Sequence, residues 1–155
     1  MVTNGTMDPD KLRARAQAGV SWFYWIAGLS VVNSISAATG STWGFMAGLG
    51  VTQMIDGVAL AIGPASKVVA LGLDLLIAAM VVGLGAWASR NSRVYLCGMI
   101  VYALDGAIFL LARDWVGLGF HGLVIFFLWG GYMARRTLDR QVGASSAEIP
   151  VDKAA

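Results

Sequence analysis

Apolar residues fall into five blocks that are separated by short polar connectors. The blocks cover residues 20–38, 43–63, 68–88, 94–112 and 116–134. Each block is close to the roughly 20 residues that a helix needs to cross about 30 Å of hydrocarbon. The pattern predicts an all-α integral membrane protein, built as a compact bundle of four transmembrane helices, with five helices as the alternative.

The first two blocks are the most polar of the five. Their polar residues are Ser30, Asn33, Ser34 and Ser36 in the first block, and Thr52, Gln53 and Asp56 in the second. Irregular backbone is tolerated at membrane depth only where protein or water covers it. We expect one of these two blocks to be re-entrant or interfacial, and a cleaved signal peptide in the first block is the alternative.

The distribution of Lys and Arg favours four spans over five. If all five blocks cross, the basic residues near the block ends divide equally between the two sides. If one of the first two blocks does not cross, eight basic residues share one side, and Lys67 and Arg113 lie opposite. Because cytoplasmic loops are enriched in Lys and Arg, we expect both termini in the cytoplasm, in an inner membrane of bacterial type.

The connectors are too short to hold a soluble domain, so one membrane domain is expected. Residues 1–19 are predicted to form a cytoplasmic N-terminal segment, in which Asp8 and Pro9 are typical of a helix start. Residues 20–140 form the single transmembrane domain. Residues 141–155 are predicted to be a polar, disordered tail.

The composition excludes several other classes of protein. Of the 155 residues, 57% are hydrophobic and 13% are charged, and the mean hydropathy is +0.69. Soluble domains are about 45–50% apolar and about 25% charged. A nucleic-acid partner is excluded because the 11 Lys and Arg residues flank the apolar blocks and form no basic stripe. A disulfide scaffold is excluded because Cys97 is the single cysteine.

Two pairs of short segments match each other and predict a repeat of helical hairpins. Residues 71–76 are similar to residues 118–123, and residues 55–58 are similar to residues 104–107. Weak internal similarity of this kind is common in transporters. The chain is therefore predicted to consist of an opening segment followed by two related hairpins.

Four ionisable residues are expected to lie at one level of the bundle. Each is seven or eight residues from a hairpin connector, which is about 10–12 Å along a helix. These residues are Asp56, Asp74, Asp105 and His121, and Gln53 and Tyr102 share helical faces with Asp56 and Asp105. A carboxylate at such depth costs a few kcal/mol, so it must face a partner, water or the bundle interior, or be protonated.

This polar layer predicts a site that binds or conducts a proton, an ion or a small polar solute. The candidate binding residues are Asp56, Asp74, Asp105, His121, Gln53 and Tyr102. The first alternative is a non-catalytic scaffold or accessory subunit, in which these groups only join helices, and the second is an intramembrane enzyme. No catalytic residue, metal site or cofactor is predicted. The predicted partners are the lipid bilayer and either further copies of the chain or a larger membrane complex.

Overall fold

The computed structural model describes residues 8–41 and 48–147, with side chains as far as residue 144. These residues form five helices and no strand, which confirms the all-α prediction. The helices are α1 (Pro9–Ala38), α2 (Gly50–Ile62), α3 (Pro64–Ala88), α4 (Ser92–Leu111) and α5 (Trp115–Ala147).

The four long helices α1, α3, α4 and α5 form a ring. Helix α1 packs against α3 and α5, and α4 packs against the same two helices from the other side, so that α1 and α4 lie diagonally. Within the described chain, these four helices are long and apolar enough to span a membrane. Helix α2 has 13 residues, so it is about 20 Å long and too short to cross about 30 Å of hydrocarbon. The number of candidate spans is therefore four.

Helix α1 begins where the sequence predicts. The side chain of Asp8 accepts a hydrogen bond from the backbone N–H of Asp10, and Pro9 occupies the first helical position. Proline fits there because its missing N–H would have no partner inside the helix. The helix ends at Ala38, and Gly40 turns the chain with a positive φ of 75°.

One end of the bundle holds the start of α1, the turn between α3 and α4, and the end of α5. Leu12 and Ala16 of α1 pack against Ala134 and Leu138 of α5, and Arg135 of α5 binds the carbonyl groups of the α3–α4 turn. We call it the basic end, since it carries Lys11, Arg13, Arg15, Arg90, Arg93, Arg135, Arg136 and Arg140. Lys67 and Arg113 lie at the opposite end, where α3 begins and α4 ends.

Helix α2 begins inside the bundle and runs outward. The backbone N–H of Leu49, just before α2, donates to Ser30 Oγ at 2.8 Å. Ser30 precedes the last residue of α1 by eight positions, or about 12 Å. From this depth α2 runs to Ile62, and Gly63 (φ 136°) connects it to α3 at the end opposite the basic end. Helix α1 also ends there, so α1 ends and α3 begins at the same end of the bundle.

Two boundaries differ from the predicted ones. Helix α5 continues to Ala147, so the first seven residues of the predicted 141–155 tail are helical, and residues 148–155 lie outside the described part. Within the apolar block predicted at residues 43–63, the described helix runs from Gly50 to Ile62. Residues 43–47 of that block also lie outside the described residues.

Candidate functional site

The half of the bundle away from the basic end contains two polar clusters. We call the first the capping cluster, because it surrounds the start of α2, and it comprises Ser30, Asp105 and His121. We call the second the carboxyl cluster, which lies between α1, α2 and α3 and comprises Ser34, Asp56 and Asp74. Gln53 lies one turn before Asp56 on α2. Ser30, Ser34, Asp74, Asp105 and His121 are all less than one-tenth exposed.

The carboxylate of Asp105 on α4 caps the start of α2. Its Oδ2 atom accepts from the backbone N–H of Gly50 at 2.7 Å, and its Oδ1 atom accepts from that of Val51 at 2.9 Å. The first N–H groups of a helix have no partner inside the helix and carry its positive dipole end. A carboxylate from another helix therefore satisfies both groups, 54 residues along the chain from Val51.

Ser30 on α1 completes this tertiary cap. Its hydroxyl oxygen accepts from Leu49 N–H and donates to the carbonyl of Ile26 at 2.9 Å. Thr52 Oγ1 donates to Leu49 O at 2.9 Å, so the carbonyl beside the cap is also bound. Three successive backbone N–H groups are thus paired with side chains of α1 and α4, which is what allows a helix to begin inside an apolar bundle.

His121 on α5 is the third member of the capping cluster. Its Nε2 atom lies 3.0 Å from Asp105 Oδ2, and its Nδ1 atom lies 3.0 Å from Gly117 O. A carbonyl oxygen only accepts, so Nδ1 carries a proton, and one further proton lies between Nε2 and the carboxylate. This hydrogen bond joins α5 to α4, and the positive dipole end of α2 lies against the same carboxylate.

Aromatic rings and a glycine hold the His121 ring in place. Tyr102 stacks on it with ring centroids 4.4 Å apart and an interplanar angle of 11°, and Phe109 contacts it at 4.7 Å. Gly106 leaves room for the ring, because a Cβ atom there would lie 3.2 Å from His121 Cδ2. The His121 ring is thus enclosed on this side by three residues of α4.

The carboxyl cluster contrasts with this arrangement in its hydrogen bonding. Asp74 on α3 is 1% exposed, and neither of its carboxylate oxygens has a hydrogen-bond partner among the described residues. It faces Asp56 of α2 and Ser34 of α1, with which it interacts electrostatically. Ser34 Oγ and Gln53 Nε2 are likewise buried and make no hydrogen bond within the described part.

The unpaired groups of the carboxyl cluster define its chemistry. Burying an unpaired polar group costs free energy, and burying a charge costs more. Asp56 and Asp74 carry like charges when both are ionised, so a proton or a cation between them lowers the energy of the pair. Carboxylate, hydroxyl and amide oxygens are ligands for hard cations. Among the described residues, no three or more His, Cys, Asp or Glu side chains group as metal ligands.

The structure divides the six predicted site residues between two places. Asp105, His121 and Tyr102 belong to the capping cluster or contact it, whereas Asp56 and Asp74 belong to the carboxyl cluster and Gln53 lies one turn before Asp56 on α2. Sequence reasoning did not include Ser30 and Ser34 among the site residues, although their spacing of four places them on one face of α1. Asp56 and Asp105, which correspond in the predicted repeat, have different partners, and the repeat itself stays a prediction.

Comparison with known proteins yields no relative of this chain. No protein-family model, curated protein or solved structure matches it. The two clusters are therefore the basis for assigning a function.

Proposed function

We propose that this protein is a multi-pass membrane protein that binds a proton or a small cation between Asp56 and Asp74 and passes it across the bilayer. The observation that carries the proposal is Asp74, whose carboxyl group is buried without a hydrogen-bond partner among the described residues. Such a group is costly in an apolar bundle. Its retention beside a second carboxyl group is expected where the pair holds an ion or a proton.

The four long apolar helices and the uneven distribution of basic residues support the membrane setting. Eight Lys and Arg residues lie at the basic end, and Lys67 and Arg113 lie at the other. By the positive-inside rule the basic end faces the cytoplasm, and a bacterial-type inner membrane is part of this proposal. Helix α2 is then re-entrant from the opposite side, with its start covered by the capping cluster.

In this setting the carboxyl cluster exchanges its ion with the non-cytoplasmic side. Towards the basic end, the bundle core is filled by packed apolar and aromatic side chains, among them Phe23, Tyr95 and Leu128, all less than one-tenth exposed. Binding thus comes first, and passage to the cytoplasm requires this core to open. Ser34 borders the carboxyl pair and contributes its hydroxyl group to ion binding, and Gln53, one turn from Asp56 on α2, supplies a further polar group.

Flux measured in liposomes tests the proposal. The parent, Asp74→Asn and Asp56→Asn are reconstituted, and uptake of protons, Na⁺ and K⁺ is followed with ion-sensitive dyes. We expect flux of one of these ions in the parent, at least about tenfold less in Asp74→Asn, and a smaller loss in Asp56→Asn, which is only partly buried. Asp10→Asn is the matched control, since Asp10 is exposed at the basic end.

Infrared spectroscopy provides a second readout that does not depend on flux. If the pair holds a proton, the parent shows the absorption of a buried protonated carboxyl group, and this signal disappears in Asp74→Asn. Equal flux in the parent and in Asp74→Asn would contradict the proposal. So would a parent that passes none of the three ions and whose thermal midpoint responds to neither pH nor salt, a result that favours the scaffold alternative.

A further inference from the structure

A basic concavity lies where the α3–α4 turn meets α5, at the basic end of the bundle. Its volume is about 460 Å³. Four exposed arginine side chains line it, and we call it the arginine concavity: Arg90, Arg93, Arg136 and Arg140. It is far from both polar clusters, which lie in the other half of the bundle.

A fixed hydrogen-bonded framework brings the four arginines together. Arg135 on α5 donates from Nη1 to Ser89 O at 2.9 Å and from Nη2 to Arg90 O at 2.7 Å. Asp139 Oδ2, one turn later, accepts from the backbone N–H of Ser92 at 3.1 Å. Helix α5 is thus tied to the turn at two successive levels, and its arginines face those of the turn.

This framework leaves the arginine concavity without a compensating negative charge. Asp139 also lines the concavity, but its charge is already compensated by Arg135, whose Nη2 atom lies 2.8 Å from Asp139 Oδ1. In the described part of the chain, no carboxylate pairs with any of the four lining arginines. Four guanidinium groups held around one concavity repel each other, so an anion bound among them is favoured.

The chemistry of arginine and the position of the concavity identify the anion. The planar guanidinium group matches the oxygens of a phosphate and binds them in pairs. The concavity lies beside the last turn of α3, where Trp87 is 63% exposed, and exposed tryptophans are typical of the level of lipid headgroups. A site of this size holds a small molecule, and basic pockets between helices bind anionic headgroups.

We propose that the arginine concavity binds the headgroup phosphate of an anionic phospholipid. The proposal rests on the membrane setting of the proposed function, but it does not depend on ion binding by the carboxyl cluster. The bound phosphate contacts arginines of the α3–α4 turn and of α5 at the same time, so the lipid holds the turn against α5.

The test measures lipid binding to the full chain in a neutral detergent. The thermal midpoint is recorded with added dioleoyl phosphatidylglycerol, dioleoyl phosphatidylcholine or inorganic phosphate, and native mass spectrometry counts retained lipids. We expect phosphatidylglycerol to raise the midpoint of the parent and to stay bound. In the double variant Arg93→Gln/Arg140→Gln, the apparent affinity for phosphatidylglycerol falls by about tenfold or more, because two of the charges that would face the phosphate are lost.

Two further variants make the result specific. Lys11→Gln/Arg13→Gln removes two charges from the same end outside the concavity, where Arg13 makes only an exposed pair with Asp10, and it keeps the parent affinity. Arg93→Lys/Arg140→Lys retains the charge without the paired donors and keeps part of the affinity. An equal loss in the Lys11/Arg13 variant, an equal effect of phosphatidylcholine, or an equal effect of inorganic phosphate overturns the lipid assignment.

Discussion

The capping cluster and the carboxyl cluster both contain serine and aspartate side chains, but they differ in their hydrogen bonding. In the capping cluster, Asp105 accepts three hydrogen bonds, from two backbone N–H groups and from His121, and both nitrogens of His121 are bound. In the carboxyl cluster, both oxygens of Asp74 are buried without a partner among the described residues. The first arrangement holds a helix in place, and the second leaves polar atoms available for binding.

This difference shows that burial alone does not identify a functional polar residue. Asp74 and His121 are equally buried, each at 1% exposed. The two residues differ in whether they have hydrogen-bond partners. A buried polar group that is fully hydrogen-bonded stabilises the fold, whereas an unpaired one lowers the stability of the fold. A residue kept at such a cost is a better candidate for function than one that is fully paired.

Neutralising one aspartate in each cluster gives the largest expected difference in stability. Asp105→Asn breaks the buried Asp105–His121 contact and puts an amide N–H group against other donors, so it lowers the free energy of unfolding by about 3–5 kcal/mol. Asp74→Asn removes a buried carboxyl group that has no hydrogen-bond partner among the described residues, so stability stays within about 1 kcal/mol of the parent or rises by up to about 2 kcal/mol. The measurement is reversible unfolding of the detergent-solubilised protein, followed by circular dichroism.

The same experiment includes His121→Gln as a check on the capping cluster. This variant removes the partner of Asp105, so it shows a loss of similar size to that of Asp105→Asn, and the double variant loses much less than the sum of the two. Equal losses for Asp105→Asn and Asp74→Asn would mean that both clusters are structural. That result would remove the distinction on which the proposed function depends.

Two glycines that each follow an aspartate give the next largest effect. An alanine Cβ at position 106 would lie 3.2–3.3 Å from three atoms of His121, a ring held by two hydrogen bonds and two aromatic neighbours. We expect Gly106→Ala to cost about 1–3 kcal/mol. Gly57→Ala is the matched control, because the space beside Gly57 is open. That control gains up to about 1 kcal/mol from helix propensity.

Thermal midpoints of Gly106→Ala and Gly57→Ala show whether the His121 ring can move to accommodate a side chain at position 106. A loss in Gly106→Ala alone indicates that the His121 ring cannot shift, as the saturated hydrogen bonding implies. If both variants match the parent, the capping cluster is looser than its geometry indicates. A shift of the unfolding transition is read for each variant at one detergent concentration, because bound detergent also changes stability.

The architecture was predictable from the sequence because it depends on block lengths and charge. Four long apolar helices and the gathering of basic residues at one end follow from runs of about 20 residues and from the positions of Lys and Arg. The polarity of the first two blocks indicated that one of them does not span, but it did not show which one, and the short helix α2 lies in the second block. The extension of α5 to Ala147 was missed because a polar helix end has no apolar block of its own.

The pairing within the polar layer was only partly predictable. Spacing along each helix indicated that Asp56, Asp74, Asp105 and His121 lie at similar depth, but it did not show which carboxylate contacts His121. The sequence could not show that the start of α2 lies beside Asp105, since that contact joins residues more than 50 positions apart. Tertiary packing alone decides which carboxylate is saturated.

Two serines on adjacent turns of α1 give the smallest effect and the sharpest contrast. Ser30 and Ser34 are both 0% exposed, but Ser30 Oγ accepts from Leu49 N–H whereas Ser34 Oγ has no partner among the described residues. Ser30→Ala leaves that N–H unpaired and costs about 1–2 kcal/mol. Ser34→Ala removes only an unpaired hydroxyl, so stability changes by less than about 0.5 kcal/mol, while ion binding at the carboxyl cluster weakens. Unfolding and flux measured on both variants test this, and a stability loss in Ser34→Ala that equals the loss in Ser30→Ala would place Ser34 in the structural framework.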